Sequence, residues 1–369
     1  MKIRLLFFIA IAMVSCLKDE NPLENSIVLE GQVFIGDTIT TEIGQGVVIM
    51  PGAEIDFGPD GIIIANGSIY VRGSKTKPIK LTGSQERISH RIIQVKWDAK
   101  EFIVEHSIVD NGMITSVANW NYLSEVEFIN SKKLNWSDAV ARFWSGNVLI
   151  ENCVTKGNNR GEGFLFHDIN KPIVRNCHFD KTPDAVEFIN CFDGTITNNI
   201  FRDMSDDAID QNSCHGTEIS NNEFYNVGDR ALELGSENFG SSHALNVRNN
   251  LFVNCSVAIN LKESSDALVE NATFYDNNIA MEIITHQDSS RISSALLSRC
   301  VFSENDMQLK FDSRSVLQVE SCLSDVEQLI GENNKLAEIE FFDPQKDDFA
   351  IRSLDFPQGL DALTIGYQR

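Results

Sequence analysis

Four aspartates are placed so that they could do chemistry together. Asp206, Asp207 and Asp210 put three carboxylates within five residues, and Asp184 stands 23 residues before Asp207. Clusters of carboxylate oxygens suit calcium, which takes six to eight oxygen ligands at about 2.3–2.6 Å. The same residues also fit a turn-stabilising cluster in which Arg230 neutralises Asp207, so metal binding and a structural role both stay open.

A repeating pattern explains how residues so far apart in the sequence can meet. A small residue, a hydrophobic residue and a polar residue recur in this order in segments that begin at Ala185, Ala208, Ala231, Ala258 and Ala280, and a similar segment begins upstream at Gly163. A second motif closes on a phenylalanine that recurs after 22, 23, 28, 22 and 28 residues, at Phe179, Phe201, Phe224, Phe252, Phe274 and Phe302. Within each motif, apolar and polar residues alternate as in strands. Repeats of this length made of strands predict an all-β, single-stranded right-handed parallel β-helix, a solenoid.

The repeat predicts a column of polar side chains on the outside of the solenoid. If Ile209 and Leu232 point inward, the residues beside them point outward. The column then contains Glu187, Asp210, Glu233, Asn260 and Glu282. Adjacent members are expected about 4.8 Å apart. Two positions further along the strands, the same face carries His167, Asn212 and Lys262. Such a face is either a binding groove or an ordinary solvated surface.

The spacing of the aspartates resembles the calcium site of a calcium-dependent family of pectate lyases built on this fold. The resemblance covers about two turns, with one aspartate a turn before a DDxxD motif. It implies calcium ligands at Asp184, Asp206, Asp207 and Asp210. Those lyases abstract a proton with a lysine one or two turns further on, whereas this chain has Glu233 at the matching position. A carboxylate serves as this base only with a raised pKa, so Lys262 and Arg248 are the substitute candidates.

A weaker resemblance connects Asp184, Asp206 and Asp207 with the acid and base aspartates of polygalacturonase-type hydrolases. Residues 258–262 are similar to the Arg-Ile-Lys substrate-binding motif of those enzymes, with Asn260 in place of the arginine. The carboxylate column offers both glycosidase geometries, about 5 Å between adjacent turns for retention and about 9.5 Å between alternate turns for inversion. The spacing therefore does not select between the two outcomes.

The N-terminus has the features of an export signal. Residues 1–15 contain a charged start and then an apolar run that is too short for a membrane span, so we predict a signal peptide. Cys16 follows it and resembles the lipidated cysteine of the bacterial lipobox. This resemblance implies a lipidated tether at 16–26 and an outer-membrane lipoprotein at the cell surface. Lys18-Asp19-Glu20 looks like the acidic export signal of some lipoproteins. The alternative is an ordinary secretory signal.

The rest of the chain divides into three predicted parts. Short strands and glycines at 27–83 indicate an N-terminal cap with the first turns, 84–324 form the β-helix, and 325–369 form an irregular tail that covers the last turn. All four tryptophans lie between residues 84 and 147, and Trp120 between two asparagines is a candidate for stacking on a sugar. Packing in the core or under long loops is the alternative for each of them.

Composition limits the partners. The net charge of −22, from 31 basic and 53 acidic residues, repels phosphate backbones, so we expect no nucleic-acid partner. Seven cysteines follow Cys16, and the lack of a CxxC motif argues against zinc. Cysteines that share a slot on adjacent turns are expected mostly as buried thiols. Cys191 and Cys214, which share a turn slot, are the better candidates for a disulfide.

These patterns together predict a surface lipoprotein that binds extracellular polysaccharide on one β-helix face and is anchored to the outer membrane. Cleavage is expected by calcium-assisted β-elimination, with Glu233, Lys262 and Arg248 as catalytic candidates. The candidate substrate-binding residues are Glu187, His167, Asn212, Asn260 and Trp120. A non-catalytic carbohydrate-binding or adhesin-like protein and a glycoside hydrolase with paired carboxylates are the alternatives, because this fold hosts all three functions.

Overall fold

The structure is a computed structural model. It describes residues 25–129, 138–157, 161–236, 239–285, 292–351, 357, 359 and 365–368. The predicted signal peptide and the lipidation site Cys16 therefore lie outside the described residues. Within these ranges, no helix is long and apolar enough to cross a membrane.

Strands make up most of the described chain. The first thirteen are β1 (Ser26–Leu29), β2 (Gln32–Ile35), β3 (Thr38–Thr40), β4 (Gly46–Ile49), β5 (Glu54–Phe57), β6 (Ile62–Ala65), β7 (Ile69–Arg72), β8 (Ile79–Thr82), β9 (Arg91–Val95), β10 (Glu101–Asp110), β11 (Met113–Ser116), β12 (Trp120–Ile129) and β13 (Ala139–Phe143). The next thirteen are β14 (Asn147–Glu151), β15 (Val154–Lys156), β16 (Glu162–His167), β17 (Ile173–Arg175), β18 (His178–Asp180), β19 (Val186–Ile189), β20 (Thr195–Thr197), β21 (Ile200–Arg202), β22 (Ile209–Asn212), β23 (Glu218–Ser220), β24 (Glu223–Tyr225), β25 (Arg230–Leu234) and β26 (Leu245–Arg248). The last thirteen are β27 (Leu251–Val253), β28 (Val257–Lys262), β29 (Asp266–Glu270), β30 (Thr273–Tyr275), β31 (Ile279–Ile284), β32 (Ser294–Ser298), β33 (Val301–Ser303), β34 (Met307–Phe311), β35 (Val316–Glu320), β36 (Leu323–Ser324), β37 (Lys335–Leu336), β38 (Phe341–Asp343) and β39 (Asp348–Ile351). A short 3₁₀ helix (Pro344–Lys346) joins the last two strands.

Two parallel sheets wind around one core. The 12-stranded sheet contains β3, β6, β9, β11, β13, β16, β19, β22, β25, β28, β31 and β34. The second, which we call the long sheet, has 25 strands, because most turns contribute two short strands to it. β38 and β39 form a separate antiparallel pair. The other strand pairings of the described chain are parallel and join successive turns, which confirms the predicted right-handed parallel β-helix, with about 12 turns.

A stack of phenylalanine rings fills the core at the predicted period. Neighbouring rings lie 4.8–5.1 Å apart between centroids, with planes within 4–13° of each other. Because phenylalanine has no polar atom to satisfy, such a column is stable without hydrogen bonds. The rings belong to Phe179, Phe201, Phe224, Phe252, Phe274 and Phe302.

Asparagines turn the chain between the two short strands of a turn. Asn198 and Asn221 have φ angles of 57° and 56°, in the left-handed region that asparagine tolerates better than most residues. The next residue points into the core, in the slot that cysteines and asparagines share. There Asn222 Oδ1 accepts hydrogen bonds from the backbone N–H of Asn199 at 2.9 Å and from its side-chain amide at 3.0 Å. The backbone N–H of Cys177 donates in turn to Asn199 Oδ1 at 2.8 Å.

The disulfide predicted between Cys191 and Cys214 is wrong, because both residues are buried free thiols. The Cys214 thiol donates to the backbone oxygens of Phe188 at 3.3 Å and Asn212 at 3.4 Å. Burial raises the pKa of this thiol, which keeps it protonated. The thiol is thus satisfied by backbone carbonyls. The remaining cysteines of the described chain are also buried and free, as the shared-slot pattern predicted.

The C-terminal tail first extends the long sheet through β37, and residues 341–351 and 365–368 then pack on the outside of this sheet. The Tyr367 hydroxyl donates to Glu223 at 2.8 Å, and the backbone N–H of Tyr367 donates to Thr273 Oγ1 at 2.8 Å. The backbone N–H of Gln368 donates to Asn249 Oδ1 at 2.5 Å. These contacts bind the tail to three successive turns of the long sheet and leave it away from the polar column of the 12-stranded sheet.

Candidate functional site

The polar column predicted from the repeat exists in the 12-stranded sheet. The strand register pairs Glu187 with Asp210, Asp210 with Glu233, Glu233 with Asn260 and Asn260 with Glu282. The three glutamates are each only 7% exposed, and Asn260 is 2% exposed. The column is therefore a closely packed row of buried polar groups, and the alternative of an ordinary solvated surface is wrong.

Two of the predicted substrate-binding residues hold neighbouring carboxylates by hydrogen bonds. The side-chain amide of Asn212 donates to Glu187 Oε1 at 3.1 Å and to Asp210 Oδ2 at 2.7 Å. The amide of Asn260 donates to Glu282 Oε2 at 2.7 Å. Hydrogen bonds of this kind reduce the repulsion between acids that strand pairing forces together.

Glu233 lies between two cations. Arg230 Nη1 is 2.6 Å from Glu233 Oε2, and the Lys262 ammonium contacts Glu233 Oε1. The same guanidinium nitrogen is 2.7 Å from Asp229 Oδ2 and 3.7 Å from Asp207 Oδ2. Arg230 thus contacts Asp207, as the structural interpretation of the aspartates expected, but its shorter contacts are to the two other acids. Both carboxylate oxygens of Glu233 are held by positive charges.

Three of the four predicted calcium ligands form one group. Carboxylate oxygens of Asp184, Asp206 and Asp207 all lie within 4.8 Å of one another. Asp184 Oδ1 accepts the backbone N–H of Asp207 at 2.9 Å, and Asp207 Oδ1 accepts the backbone N–H of Arg230 at 2.9 Å. These bonds fix the two carboxylates across successive turns. Asp210 lies in the neighbouring column and is not part of this group.

Burial and crowding make these acids hard to ionise. Burial, followed by the charge of Asp206, raises the pKa of Asp184 to about 7. Burial also raises the pKa values of Asp206 and Asp207. One turn earlier, burial and then the charge of Glu187 raise the pKa of Glu162 to about 10. Acids in this state are stabilised either by protons or by a bound cation.

A family model described as the right-handed beta helix region matches residues 113–274 and again residues 184–337. Together these matches cover more than half of the chain. The chain belongs to this right-handed β-helix family. No curated protein matches the sequence.

Solved structures of low sequence identity resemble this β-helix. The PL6 family alginate lyase AlyGC matches with a TM-score of 0.43 and 11% identity, over 96% of this chain and 55% of that one. The Dettilon tailspike protein matches with a TM-score of 0.44 and 12% identity, over 80% of this chain and 62% of that one. The PL6 family polysaccharide lyase Pedsa3628 from Pseudopedobacter saltans matches with a TM-score of 0.32 and 10% identity, over 92% and 98%. This chain spans little more than half the length of the first two.

The remaining predicted residues divide between the two sheets of the β-helix. His167 lies in the 12-stranded sheet, where its ring stacks on Trp144 with centroids 6.3 Å apart. Burial lowers the pKa of His167. Trp120 and Arg248 instead lie in β12 and β26 of the long sheet, and Arg248 Nε is 3.4 Å from Glu270 Oε2. The structure therefore does not bring Trp120 or Arg248 together with the polar column.

Basic residues that were not among the predicted site residues continue the column at both ends. Arg142 pairs with Leu165, which pairs with Glu187, so the column extends to Arg142. At the other end Lys310 pairs with Glu282, and its ammonium lies 2.5 Å from Glu282 Oε1. Both lie in alternating segments with the same polar position as the repeat, and this signal was sufficient to find them.

Proposed function

We propose that the protein binds an acidic extracellular polysaccharide across the outer face of the 12-stranded sheet and cleaves it by calcium-assisted β-elimination. The observation that carries the proposal is the group of Asp184, Asp206 and Asp207, whose oxygens lie within 4.8 Å of one another beside the polar column. Crowded carboxylates with raised pKa values gain the most from a divalent cation, because it removes their mutual repulsion.

The donor set of the aspartate group suits calcium. All three side chains offer oxygen, and three carboxylates leave several of the six to eight positions for sugar and water oxygens. Bound calcium supplies the charge that neutralises a uronate carboxylate and makes the adjacent C5 proton more acidic. It would also reverse the local sign of a chain with net charge −22, which otherwise repels an acidic glycan. Asp210, outside the group, is left out of the proposed ligand set.

We assign proton transfer to the pair of Glu233 and Lys262. In β-elimination a base takes the C5 proton, the C4–C5 double bond forms and the C4–O bond breaks, and an acid gives a proton to the leaving oxygen. Glu233 would accept the C5 proton and the Lys262 ammonium would protonate the leaving oxygen. Because the two side chains touch, the proton on Glu233 can return to Lys262 after the reaction. Arg248, on the long sheet, has no part in this scheme.

A second candidate function is carbohydrate binding without cleavage. It is favoured by the contacts of Glu233, whose two oxygens are already held by Arg230 and Lys262. Contacts of this kind suit a residue that stabilises the fold. In this case the column is only a contact surface, as in an adhesin.

The test is an ultraviolet absorbance scan for unsaturated products on a panel of uronate polysaccharides, with calcium and with chelator. We expect product only with calcium, and none from Asp206→Asn, a change at an aspartate that is not fixed by the backbone bonds described above. The matched control is the exposed Asp193→Asn, which should act as wild type. Binding with no absorbance change would indicate carbohydrate binding without cleavage. New reducing ends without an absorbance change would indicate a hydrolase. A lack of binding to every polymer contradicts the proposal.

We also propose that the protein is an outer-membrane lipoprotein that faces the outside of the cell. The apolar run before Cys16 and the acidic residues after it support this. In cells, wild-type protein should incorporate labelled fatty acid, enter the membrane fraction and be cut by external protease. Cys16→Ser should lose the label and leave the membrane fraction. Membrane attachment of this variant at the wild-type level contradicts lipid anchoring.

A further inference from the structure

A cavity of about 380 Å³ opens on the 12-stranded sheet, on the N-terminal side of the carboxylates. Its volume falls within the range of small-molecule sites, roughly 300–1,000 Å³. The walls come from the ends of β9, β11 and β13 and the residue after β16. Its lining residues include Trp97, Trp144, Thr115, Lys96 and Asp168.

Two indole rings form the apolar part of this cavity. Trp97 is 68% exposed, which leaves a large flat apolar surface in water. Trp144 is held in place, because its ring stacks on His167 with an angle of 18° between the planes and the Arg142 guanidinium lies 5.3 Å from its centroid. A fixed aromatic surface and an exposed one suit the flat C–H faces of a sugar ring, at a small cost in conformational freedom.

A buried hydroxyl adds an independent sign of a ligand. Thr115 is 2% exposed and lines the same cavity. Among the described residues, no group forms a hydrogen bond with its Oγ1. An unsatisfied buried hydroxyl is unfavourable, so it calls for a partner such as a bound water or a ligand. A sugar hydroxyl in the cavity would supply the missing hydrogen bond.

Lys96 gives the cavity a cationic group, while Asp168, also in the lining, accepts a hydrogen bond from Asn190. No acidic side chain of the described chain lies within 4.0 Å of the Lys96 ammonium. A sugar carboxylate is the group that this ammonium would pair with.

We infer that this cavity is a subsite for a uronate unit of a polysaccharide, with the ring against Trp97 and Trp144 and the carboxylate toward Lys96. The inference rests on the proposed function, since it gives the same glycan a second point of contact. The register from Thr115 through Arg142, Leu165 and Glu187 to Asp210 spans four strand spacings, roughly 19 Å. A glycan that touches both places therefore runs across the strands, along the solenoid axis, and must contain several sugars.

The test measures binding of polygalacturonate and alginate, with dextran as the neutral polymer, by tryptophan fluorescence and affinity electrophoresis, with calcium and with chelator. Trp97→Ala should weaken binding of an acidic polymer about tenfold, because one stacking partner is lost. Lys96→Met should reduce the preference for acidic polymers over dextran. Trp120→Ala, at a tryptophan on the long sheet, is the matched control and should bind as wild type.

The outcomes separate this subsite from the chemistry at the aspartates. Where product forms, Trp97→Ala should raise KM and leave kcat unchanged, because the contact lies far from the reacting atoms. Short oligosaccharides that cannot span both places should bind the wild type and Trp97→Ala equally at the carboxylates. Binding without product in any condition would contradict the proposed cleavage but not the proposed subsite. Unchanged binding by Trp97→Ala and Trp144→Ala overturns the subsite alone, and no binding by wild type overturns both.

Discussion

Parallel pairing places successive side chains of the polar column about 4.8 Å apart, so neighbouring carboxylates repel each other unless other groups reduce this repulsion. The protein reduces it in three ways. Asn212 donates hydrogen bonds to Glu187 and Asp210, and Arg230 places a cation beside Glu233. Beside the column, burial and then the charge of Glu187 raise the pKa of Glu162 to about 10, which keeps it protonated at neutral pH. Hydrogen bonds, a cation and a retained proton thus reduce the repulsion at different positions.

At the residue scale, Asp184 makes stability depend on pH. Its pKa rises from 3.8 to about 7 on folding, so the folded protein binds the proton more tightly than the unfolded chain. The contribution to stability is complete below about pH 3.8 and is lost as pH rises through about 7. In chelator, the urea midpoint of wild type should fall between pH 5 and pH 8, and Asp184→Asn should fall less.

Asn at position 184 can still accept the backbone N–H of Asp207 through its side-chain oxygen, so the geometry is kept while the titration is removed. The exposed Asp193→Asn serves as the control and should follow wild type across the same pH range. Equal slopes for wild type and Asp184→Asn would show that another group causes the pH dependence.

Removal of the charge on Glu233 should destabilise the fold. Glu233→Gln leaves the Arg230 and Lys262 cations with less compensation in a site where the glutamate side chain is only 9% exposed. We expect a loss of about 3 kcal/mol in the free energy of unfolding, measured by urea denaturation. The matched control is Glu105→Gln, at a half-exposed pair with Arg72, which should change stability by less than about 1 kcal/mol. Equal losses in the two variants would contradict a structural role for the buried ion pairs.

The composition of the column could be predicted from the sequence, but its hydrogen bonds and ion pairs could not. The repeat assigns Glu187, Asp210 and Glu233 to one column, because register follows from period. The repeat gives no side-chain torsions. Arg230 approaches Glu233 and Asp229 more closely than Asp207, because local packing selects its rotamer. Asp210 lies in the polar column beside the aspartate group and is not part of it.

At the element scale, the core is an array of identical contacts between neighbouring turns. The phenylalanine stack and the asparagine ladder both run along the solenoid, one apolar and one hydrogen-bonded. In such an array each turn is stabilised mainly by the turns on either side of it. A substitution at the centre of the array therefore weakens two interfaces at once.

Phe224 lies inside the stack, with Phe201 at 4.8 Å and Phe252 at 4.9 Å between ring centroids. Phe224→Ala should lower the free energy of unfolding by about 3–5 kcal/mol, since the cavity cannot close without movement of both neighbouring turns. Phe224→Leu keeps most of the volume and should lose clearly less. The control Phe34→Ala, at a ring that is 72% exposed, should change stability by no more than about 0.5 kcal/mol. Similar losses for Phe224→Ala and Phe34→Ala would mean that the stack does not stabilise the core.

The period of the strands could be predicted from the sequence because each turn repeats one pattern, and the family matches at 113–274 and 184–337 cover the segments that show it. The prediction of a Cys191–Cys214 disulfide is wrong for a physical reason. A shared slot predicts that two side chains are near each other, but Cys214 meets the backbone oxygens of Phe188 and Asn212 instead. Proximity along a strand column does not decide the direction of a thiol.

At the scale of the whole molecule, the two sheets differ in what covers them. The tail crosses the long sheet and contacts it through Tyr367 and Gln368, whereas the polar column and the Trp97 cavity lie on the 12-stranded sheet. The tail thus covers the outside of the long sheet over a few turns. The face proposed to bind polysaccharide belongs to the other sheet, which the described part of the tail does not cover.

Truncation of the tail should therefore loosen a defined part of the β-helix. A chain that ends at residue 364 loses the bonds of Tyr367 to Glu223 and Thr273, the bond of Gln368 to Asn249, and the buried side chain of Ile365. Since turns of a solenoid interact mainly with their neighbours, this loss, on the order of 2–4 kcal/mol, should act locally. Hydrogen exchange should increase in β24, β27 and β30 and stay unchanged in β10 and β12. A uniform increase along the chain would mean that the solenoid unfolds as one unit, whereas no increase in β24 to β30 would mean that the tail does not clamp the long sheet.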